Sequence, residues 1–266
     1  MRFAIAYSKK DIAGINIIEQ FKKIAFAPDI IIIELKKDSI YSDDLNEKNY
    51  PELKSIDFIV FATKHKSEKG NPSLSLHAPG NWRDADFGGK AGKICSTSAF
   101  VLKYLFQQLN KISTQENLKD YQITLECTHH GPLIDLPCCF IELGSSEKQW
   151  NEKQPAKVLA KTIASLQNYK PDKSWIPAIG IGGKHYCPNF NKLQLTSNYA
   201  ISHIIPEYCL PLNESLLSEA EQKTIENIKE VLVDWKGCGN SEQRQKIADV
   251  IEKSGLKFKR TEKIEK

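Results

Sequence analysis

The sequence predicts an α/β fold with a mixed, largely parallel sheet flanked by helices. Two nearly continuous apolar runs, at 29–35 and 58–62, are typical of strands that are covered on both faces. The N-terminal third also reads as strand, helix, strand, loop and strand, an order expected of α/β proteins. With 266 residues and 41% hydrophobic content, the chain is long enough to bury a sizeable core.

The N-terminal elements follow from these patterns. Strands are predicted over residues 2–8, 29–35 and 56–63, and a helix over 13–24. Residues 38–55 carry Asp, Asn, Ser, Lys and one Pro with little periodicity, which indicates a surface loop. Residues 64–97 are predicted as a second, longer loop, and loops of that length inside compact domains are usually functional or disordered.

The remaining elements are predicted in the same way. Apolar residues at helical spacing predict a helix over 98–113 and another that includes Ala156, Leu159, Ile163 and Leu166. Strands are expected at 121–128, 138–144, 176–183 and 256–260, and helices at 214–235 and 241–253. We expect a single domain over 1–266, with a core over about 1–210 and a helical C-terminal part over about 211–266.

Composition narrows the class of protein. The longest apolar run, 30–33, is far shorter than the roughly 20 residues that a transmembrane helix needs, and residues 1–7 read as a first strand rather than an export signal. Seven cysteines without a C-x-x-C pair disfavour a disulfide framework and a zinc ribbon, and fit a reducing cytoplasm. The net charge of +4 is compatible with a polyanionic partner.

The most informative segment is ECTHHGP, at residues 126–132. It places a carboxylate and two adjacent imidazoles at the end of a strand, and Gly131-Pro132 ends any regular element. In open α/β sheets, ligands bind beyond the carboxyl ends of strands. If the strand continued through His129 and His130, their side chains would point to opposite faces, so the spacing alone does not place both in one site, and a structural role for one of them stays open.

Histidines and carboxylates make a metal site feasible. The candidate ligands are five histidines, His77, His129, His130, His185 and His203; the sixth, His65, is set apart because lysines flank it. Two carboxylates, Glu126 and Glu142, lie near strand ends. Zinc accepts such nitrogen and oxygen ligands, and the set is sufficient for one or two ions. No H-E-x-x-H motif is present, so the site would be assembled from distant segments.

Other chemistry is less well supported. Glu142 is as compatible with a solvent-facing position on a strand as with a functional role. Ser145 or Ser146, which follow it, could cap a helix. The glycine loops at 88–90 and 180–184 could cradle phosphate or form simple turns, since neither has Walker A or G-x-G-x-x-G spacing. There is no G-x-S-x-G elbow, and Cys127 is expected to point inward rather than act as a nucleophile.

Taken in order, six segments resemble the archaeal and plant type of D-aminoacyl-tRNA deacylase. They are AYSKKD at 6–11, HAPGN at 77–81, GGK at 88–90, ECTHHGP at 126–132, ELGSSEKQW at 142–150 and GIGGKHY at 180–186. The resemblance covers most of residues 1–205.

The resemblance implies hydrolysis of the ester that joins a D-amino acid to the 3′-terminal ribose of tRNA, with broad side-chain tolerance. It further implies a phosphorylase/hydrolase-like fold similar to peptidyl-tRNA hydrolase, two zinc ions per subunit, a monomer without an obligate protein partner, and no association with a membrane. Adducts of D-aminoacyl-tRNA with aldehydes are a further implied substrate class.

Site roles follow as a hypothesis from this resemblance and from the chemistry of ester hydrolysis, which needs an activated water and a stabilised oxyanion. The expected catalytic residues are His129, His130 and Glu126. The expected metal ligands are His77, His129, His130, Glu142 and His185. The residues expected to contact substrate or tRNA are Lys9, His77, Asn81, Gly89, Lys90, Gly183 and Lys184.

Two other functions remain compatible with these residues. A zinc-dependent amidohydrolase or peptidase would keep the histidines and act on a small substrate without RNA. A noncatalytic tRNA-binding module would use the glycine and lysine loops as a clamp, although five polar loop motifs exceed what a clamp needs.

Overall fold

The protein is described here from a computed structural model of residues 1–24 and 30–264. Its larger sheet contains β1 (Phe3–Ser8), β2 (Ile31–Leu35), β3 (Phe58–Lys64), β4 (Ser73–His77), β7 (Gln122–Leu125) and β8 (Cys138–Gly144). The strand order is β2-β1-β3-β8-β4-β7, and only β4 and β8 pair antiparallel. This confirms the mixed, largely parallel sheet; the predicted start of its second strand, Asp29, lies outside the described residues.

A second, four-stranded sheet is parallel throughout. It consists of β9 (Ile176–Ile181), β10 (Tyr199–Ile205), β11 (Glu230–Val233) and β12 (Lys257–Arg260), in the order β10-β9-β11-β12. A short ribbon of β5 (Gly80–Asn81) and β6 (Lys93–Ile94) lies between β4 and the next helix in the chain.

Seven helices accompany the sheets in the described part of the chain: α1 (Ile12–Phe21), α2 (Ala99–Gln115), α3 (Glu147–Trp150), α4 (Lys153–Ala164), α5 (Pro188–Thr196), α6 (Glu214–Gln222) and α7 (Ser241–Lys253). α1 and α2 begin at side-chain caps, since Asp11 accepts from Gly14 N–H and Ser98 from Val101 N–H. α4 packs against both α1 and α2, and the three helices bury their apolar stripes in the largest core cluster. No helix among the described residues combines the length and apolar character needed to cross a bilayer.

Three sequence predictions of local structure are wrong. Residues 64–97 are not one loop, because they contain β4, which pairs with both β8 and β7. The helix predicted over 214–235 ends at Gln222, and 230–233 form β11 instead. β10, with α5 before it, was not predicted. The C-terminal part, from about 211 on, combines helices with β11 and β12 of the second sheet.

Lys103 joins α2 to the second sheet. Its side chain is fully buried, and Nζ donates to the backbone carbonyls of Gln194, Ser197 and Tyr199 at 2.7, 2.8 and 3.0 Å. An ammonium group offers three donors, so these three carbonyls use its full capacity. One side chain therefore provides hydrogen-bond donors for three backbone carbonyls in and around the connection from α5 to β10.

We predict that Lys103→Met destabilises the protein by about 3 kcal/mol or more, because a buried acceptor without a donor costs about 1–3 kcal/mol. The measurement is the free energy of unfolding in urea. Lys111→Met, on the exposed side of the same helix, is the matched control and should change stability by less than about 0.5 kcal/mol. Equal effects of the two substitutions would contradict the proposed role of Lys103.

Candidate functional site

Two buried carboxylates form the centre of the candidate site. Glu126 and Glu142 are each only 2% exposed. Glu142 lies within β8, directly opposite Thr63 of β3 and Ser75 of β4, so all three side chains share one face of the sheet. The two hydroxyls donate to its carboxylate oxygens at 3.2 and 3.3 Å. Glu126 follows β7 directly, and its backbone N–H donates to the carbonyl of Leu76.

His65 links the two carboxylates. Its Nδ1 lies 3.1 Å from Glu126 Oε1 and 3.3 Å from Glu142 Oε2. Burial disfavours the charged ring, but the hydrogen bond to Glu142 and the charges of both carboxylates raise the pKa of His65 to about 10. His65 is absent from the predicted site residues because lysines flank it in the sequence. Its position directly after β3 is the feature that could have identified it.

His185 pairs with Glu126 from the second sheet. It follows the end of β9, and its Nε2 lies 3.0 Å from Glu126 Oε2. Burial opposes its charge, whereas contacts with Cys127 and Glu126 raise the pKa of His185 to about 11. Burial likewise opposes the ionisation of Glu126, yet the hydrogen bond with His185 and the charge of His65 keep the pKa of Glu126 below its usual value. The pair is therefore a carboxylate and an imidazolium at neutral pH.

Three further imidazoles share one arrangement of their ring nitrogens. Nδ1 of His77, His129 and His130 faces the backbone carbonyl of Ala78, Cys127 and Gly131, at 3.2, 2.8 and 2.6 Å respectively. A carbonyl can only accept, so each Nδ1 carries a proton; Nε2 then presents a lone pair when the ring is neutral and an N–H when it is charged. Burial lowers the pKa of His129 well below its usual range, and the charges of His77 and His130 add smaller effects in the same direction.

These Nε2 atoms point at carboxylate oxygens. Nε2 of His77 and of His130 lie 3.6 and 3.8 Å from Glu142 Oε1, and Nε2 of His129 lies 3.4 Å from Glu126 Oε2. The first two distances exceed those of an N–H···O hydrogen bond, and buried Nε2 of His77 has no hydrogen-bond partner among residues 1–24 and 30–264. Lone pairs that converge in this way are favourable when a cation lies among them.

The donor set therefore fits a metal ion. One ligand atom from each of His77, His129 and His130 lies within 4.8 Å of the other two, and the same holds for His65, Glu126 and Glu142. Cys127, His129 and His185 form a third such group. The first two groups share no residue and could hold two ions together, whereas the first and third both need His129.

The backbone after β7 explains why both adjacent histidines reach the site. The strand ends at Leu125, so the alternation expected for a continuing strand does not apply to His129 and His130. His130 has a φ of 45°, in the left-handed region that few residues other than glycine adopt. This turn brings the two rings within 4.3 Å of each other, centroid to centroid.

Two cavities meet at His129 and His130. The large cavity, of about 580 Å³, extends from these rings past Glu142 to Ser39, Ile40 and Phe87. The small cavity, of about 260 Å³, lies on the other side and is lined by Asn81, Trp82 and Tyr208 among others. A group held at the histidines can therefore be reached from two directions.

The residues predicted to bind substrate or tRNA are not all close to this centre. Asn81 lines the small cavity, and its Nδ2 donates to the carbonyl of Gly88 at 2.8 Å. Gly89, with a φ of 74°, packs against Gly131, where a Cβ would lie 3.2 Å from the Gly131 Cα. These two residues support the histidine loop.

The predicted lysines lie on the surface. Lys9 is exposed and pairs with Glu34 at 2.7 Å, and Lys90 and Lys184 are also exposed. Gly183 forms a tight turn, and its N–H donates to the carbonyl of Gly237. None of these four residues lines the two cavities or belongs to a group that could hold a metal among the described residues.

Further side chains pack around these histidines. His203 is buried within β10 and contacts Thr128 through Nδ1 at 3.1 Å. Cys127 does point inward, but its Sγ lies 3.4 Å from His185 Nδ1 and 3.0 Å from the hydroxyl of Tyr208. Neither Tyr208 nor Tyr186, whose hydroxyl lies 3.1 Å from His65 Nε2, could be identified from spacing.

Comparison with known proteins gives a consistent result. A protein-family model described as D-aminoacyl-tRNA deacylase matches residues 52–259. Proteins named D-aminoacyl-tRNA deacylase from Thermococcus onnurineus, Thermococcus kodakarensis and Methanocaldococcus jannaschii are 33%, 36% and 31% identical to this chain. These alignments cover 96%, 86% and 98% of this chain and 98%, 84% and 100% of the relatives.

A solved structure shows the same fold. The crystal structure of a conserved protein of unknown function, AF0625, matches with a TM-score of 0.87 and 26% sequence identity. The match covers 98% of this chain and 96% of that chain.

The charge on His65 makes a prediction for stability. Because its folded-state pKa, about 10, lies above the unfolded value of about 6.5, its contribution is fully present below pH 6.5 and is lost as pH rises through 10. Removing one partner of a buried pair costs about 3–5 kcal/mol, so we expect His65→Gln to be destabilised by that amount at pH 6.

The measurement is the free energy of unfolding between pH 5 and 10.5 in the presence of a chelator. The difference between wild type and His65→Gln should shrink above pH 6.5. His203→Gln is the control: burial lowers the pKa of His203 to about 4, so its effect should be constant above pH 6.5. A difference for His65→Gln that does not change with pH would contradict an imidazolium at this position.

Proposed function

This chain belongs to the D-aminoacyl-tRNA deacylase family, and from that premise we propose that it hydrolyses the ester of D-aminoacyl-tRNA, releasing a free D-amino acid and tRNA. The observation that carries the proposal is the group of two buried carboxylates and five imidazoles at the junction of two cavities. These groups can supply both a base and a proton donor to an ester that reaches the junction.

The chain's own residues can move the protons of this reaction. Glu126 is anionic, and its Oε2 can take a proton from the water that attacks the acyl carbon. His185 is protonated at neutral pH, and its Nε2–H can protonate the departing 3′ oxygen of the ribose. Because this nitrogen lies 3.0 Å from Glu126 Oε2, the proton on Glu126 can return to His185 and restore both groups.

We propose zinc as the metal of this site. Three imidazoles with carboxylates nearby are ligands that zinc accepts, and the inward Nε2 of His77 has no other partner. When bound, zinc lowers the pKa of water and polarises a carbonyl oxygen. His77, His129 and His130 would hold one ion; the backbone carbonyls at the three Nδ1 atoms fix the orientation of these rings. His65 with Glu126 and Glu142 would hold a second ion only once His65 gives up its proton, because an imidazolium cannot ligate a metal.

We further propose that exposed Lys90 and Lys184 contact tRNA phosphates, which is supported by their places beside the glycines of the two loops. Broad tolerance of D-side chains and a monomeric state rest on the family resemblance alone. A reducing, cytoplasmic location is supported by the seven cysteines, all of which are free.

We predict that the purified protein deacylates D-tyrosyl-tRNA, and that Glu126→Gln lowers kcat/KM by about 100- to 10,000-fold, the usual contribution of a general base. His129→Ala and His130→Ala should also lose activity. His203→Gln is a control outside the cluster.

The measurement is release of D-tyrosine, with circular dichroism to confirm that each variant is folded. Full activity in both His129→Ala and His130→Ala would contradict the site. Binding of charged tRNA without cleavage by the wild type would favour a noncatalytic module, and cleavage of N-acyl amino acids alone would favour an amidohydrolase.

Metal content provides a separate prediction. We expect the protein to copurify with zinc, and His77→Ala to lose at least one equivalent, because it removes an imidazole that has no other use for its Nε2. Mass spectrometry of the metal measures this independently of turnover. Zinc content equal to wild type in folded His77→Ala, or full turnover by demonstrably metal-free protein, would contradict the metal assignment.

A further inference from the structure

Phe87 is the large aromatic side chain at the mouth of the large cavity. It is 63% exposed, whereas the cavity continues inward from it to the buried histidines. Exposure of an isolated apolar side chain needs no explanation, but here the ring borders a cavity that leads to the reacting groups. The position is therefore suited to a planar ligand group.

The backbone holds Phe87 in a fixed place. Its carbonyl accepts from the N–H of Gly131, the residue after His130, at 2.8 Å. Gly88, with a φ of 73°, lies so close to Ile40 that a Cβ would be 1.8 Å from the Ile40 carbonyl oxygen. The backbone of Phe87 is thus anchored both to the histidine loop and to the neighbouring segment 38–40 of the cavity wall.

This neighbouring wall segment carries polar atoms without partners. Asp38 Oδ1 and Ser39 Oγ are buried and make no hydrogen bond within the described residues, and both residues line the large cavity. Buried polar atoms normally have a partner, so these two point to a ligand that supplies one. A carboxylate accepts from an exocyclic amino group, and a hydroxyl can donate to a ring nitrogen, as in recognition of adenine.

Volume decides which cavity takes the larger part of the substrate. The large cavity, about 580 Å³, falls within the range of about 300–1,000 Å³ that buries small-molecule ligands, whereas the small cavity, about 260 Å³, falls below it. Exposed Lys66 also borders the large cavity and can meet a phosphate. The small cavity on the far side of the histidines is left for the aminoacyl group.

We propose that the large cavity binds the 3′-terminal adenosine of tRNA, with the base stacked on Phe87 and its polar edge facing Asp38 and Ser39. The proposal rests on the deacylase function and names the part of the substrate that each cavity takes. Stacking of a base on an aromatic side chain contributes about 1–3 kcal/mol, which corresponds to a change of about 5- to 150-fold in affinity.

The first test uses ligands rather than turnover. Binding of adenosine 5′-monophosphate and of ribose 5-phosphate is measured by calorimetry for wild type, Phe87→Ala, Phe87→Tyr and Ile225→Ala. We expect Phe87→Ala to weaken binding of the nucleotide about 5- to 150-fold without changing binding of the sugar phosphate, and Phe87→Tyr to restore it. Ile225, 48% exposed and outside the lining of this cavity, is the control and should have no effect. Equal effects of Phe87→Ala on both ligands, or nucleotide binding unchanged by Phe87→Ala, would overturn the proposal.

The second test uses D-tyrosyl- and D-alanyl-tRNA, each ending in adenosine or in an abasic ribose. Phe87→Ala should raise KM for the substrates with adenosine by a similar factor for both amino acids, and should have little effect on the abasic ones. A loss that follows the amino acid instead of the base would reverse the assignment of the two cavities and overturn the proposal. If wild type binds the nucleotide through Phe87 but deacylates nothing, the deacylase function fails while the adenosine site stands.

Discussion

The site depends on one electrostatic constraint: two carboxylates, Glu126 and Glu142, are buried next to each other and must remain ionised. Isolated buried carboxylates would take up protons, because desolvation strongly disfavours their charge. Here His65 contacts both carboxylates, and His185 contacts Glu126. Burial opposes the ionisation of Glu142, but the neighbouring His130, His65 and His77 outweigh burial and hold the pKa of Glu142 well below its usual range. The histidines lie close together because they surround two carboxylates that are themselves close together.

Two sheets have to meet for this constraint to be satisfied. Glu142 comes from the larger sheet and His185 from the end of β9 in the second. The segment between β7 and His130 joins them, since the N–H of Cys127 donates to the carbonyl of His185 and that of Thr128 to the carbonyl of Ile204. These backbone bonds hold the imidazoles in position before any substrate arrives, and such preorganisation is what makes polar groups effective in catalysis.

Elements whose residues are uniformly buried could be predicted from the sequence. Residues whose burial depends on polar partners distant in the chain could not. The apolar runs at 29–35 and 58–62 predicted a largely parallel sheet of strands covered on both faces. β3 is buried as predicted, whereas β2 is an edge strand with exposed residues. β4 was missed since its serines read as loop, although Ser75 is buried as a donor to Glu142. His65 was missed for the related reason that the charge of its lysine neighbours dominates the local pattern, while its own partners lie 61 or more residues away in the chain. Four of the five histidines that could hold a metal, His77, His129, His130 and His185, were predictable as candidates; the way they group was not.

The balance of charge explains how such a buried site can serve an anionic substrate. The carboxylates of Glu126 and Glu142 are matched by the imidazolium rings of His65 and His185, so these four groups sum to no net charge at neutral pH. A divalent cation held by His77, His129 and His130 would then add positive charge that nothing in this group neutralises. A developing oxyanion at the ester carbonyl is the group that such a charge stabilises most, because it forms inside the low-dielectric cavity. The ground-state ester is neutral at that position, and so the same arrangement favours the transition state over the bound substrate.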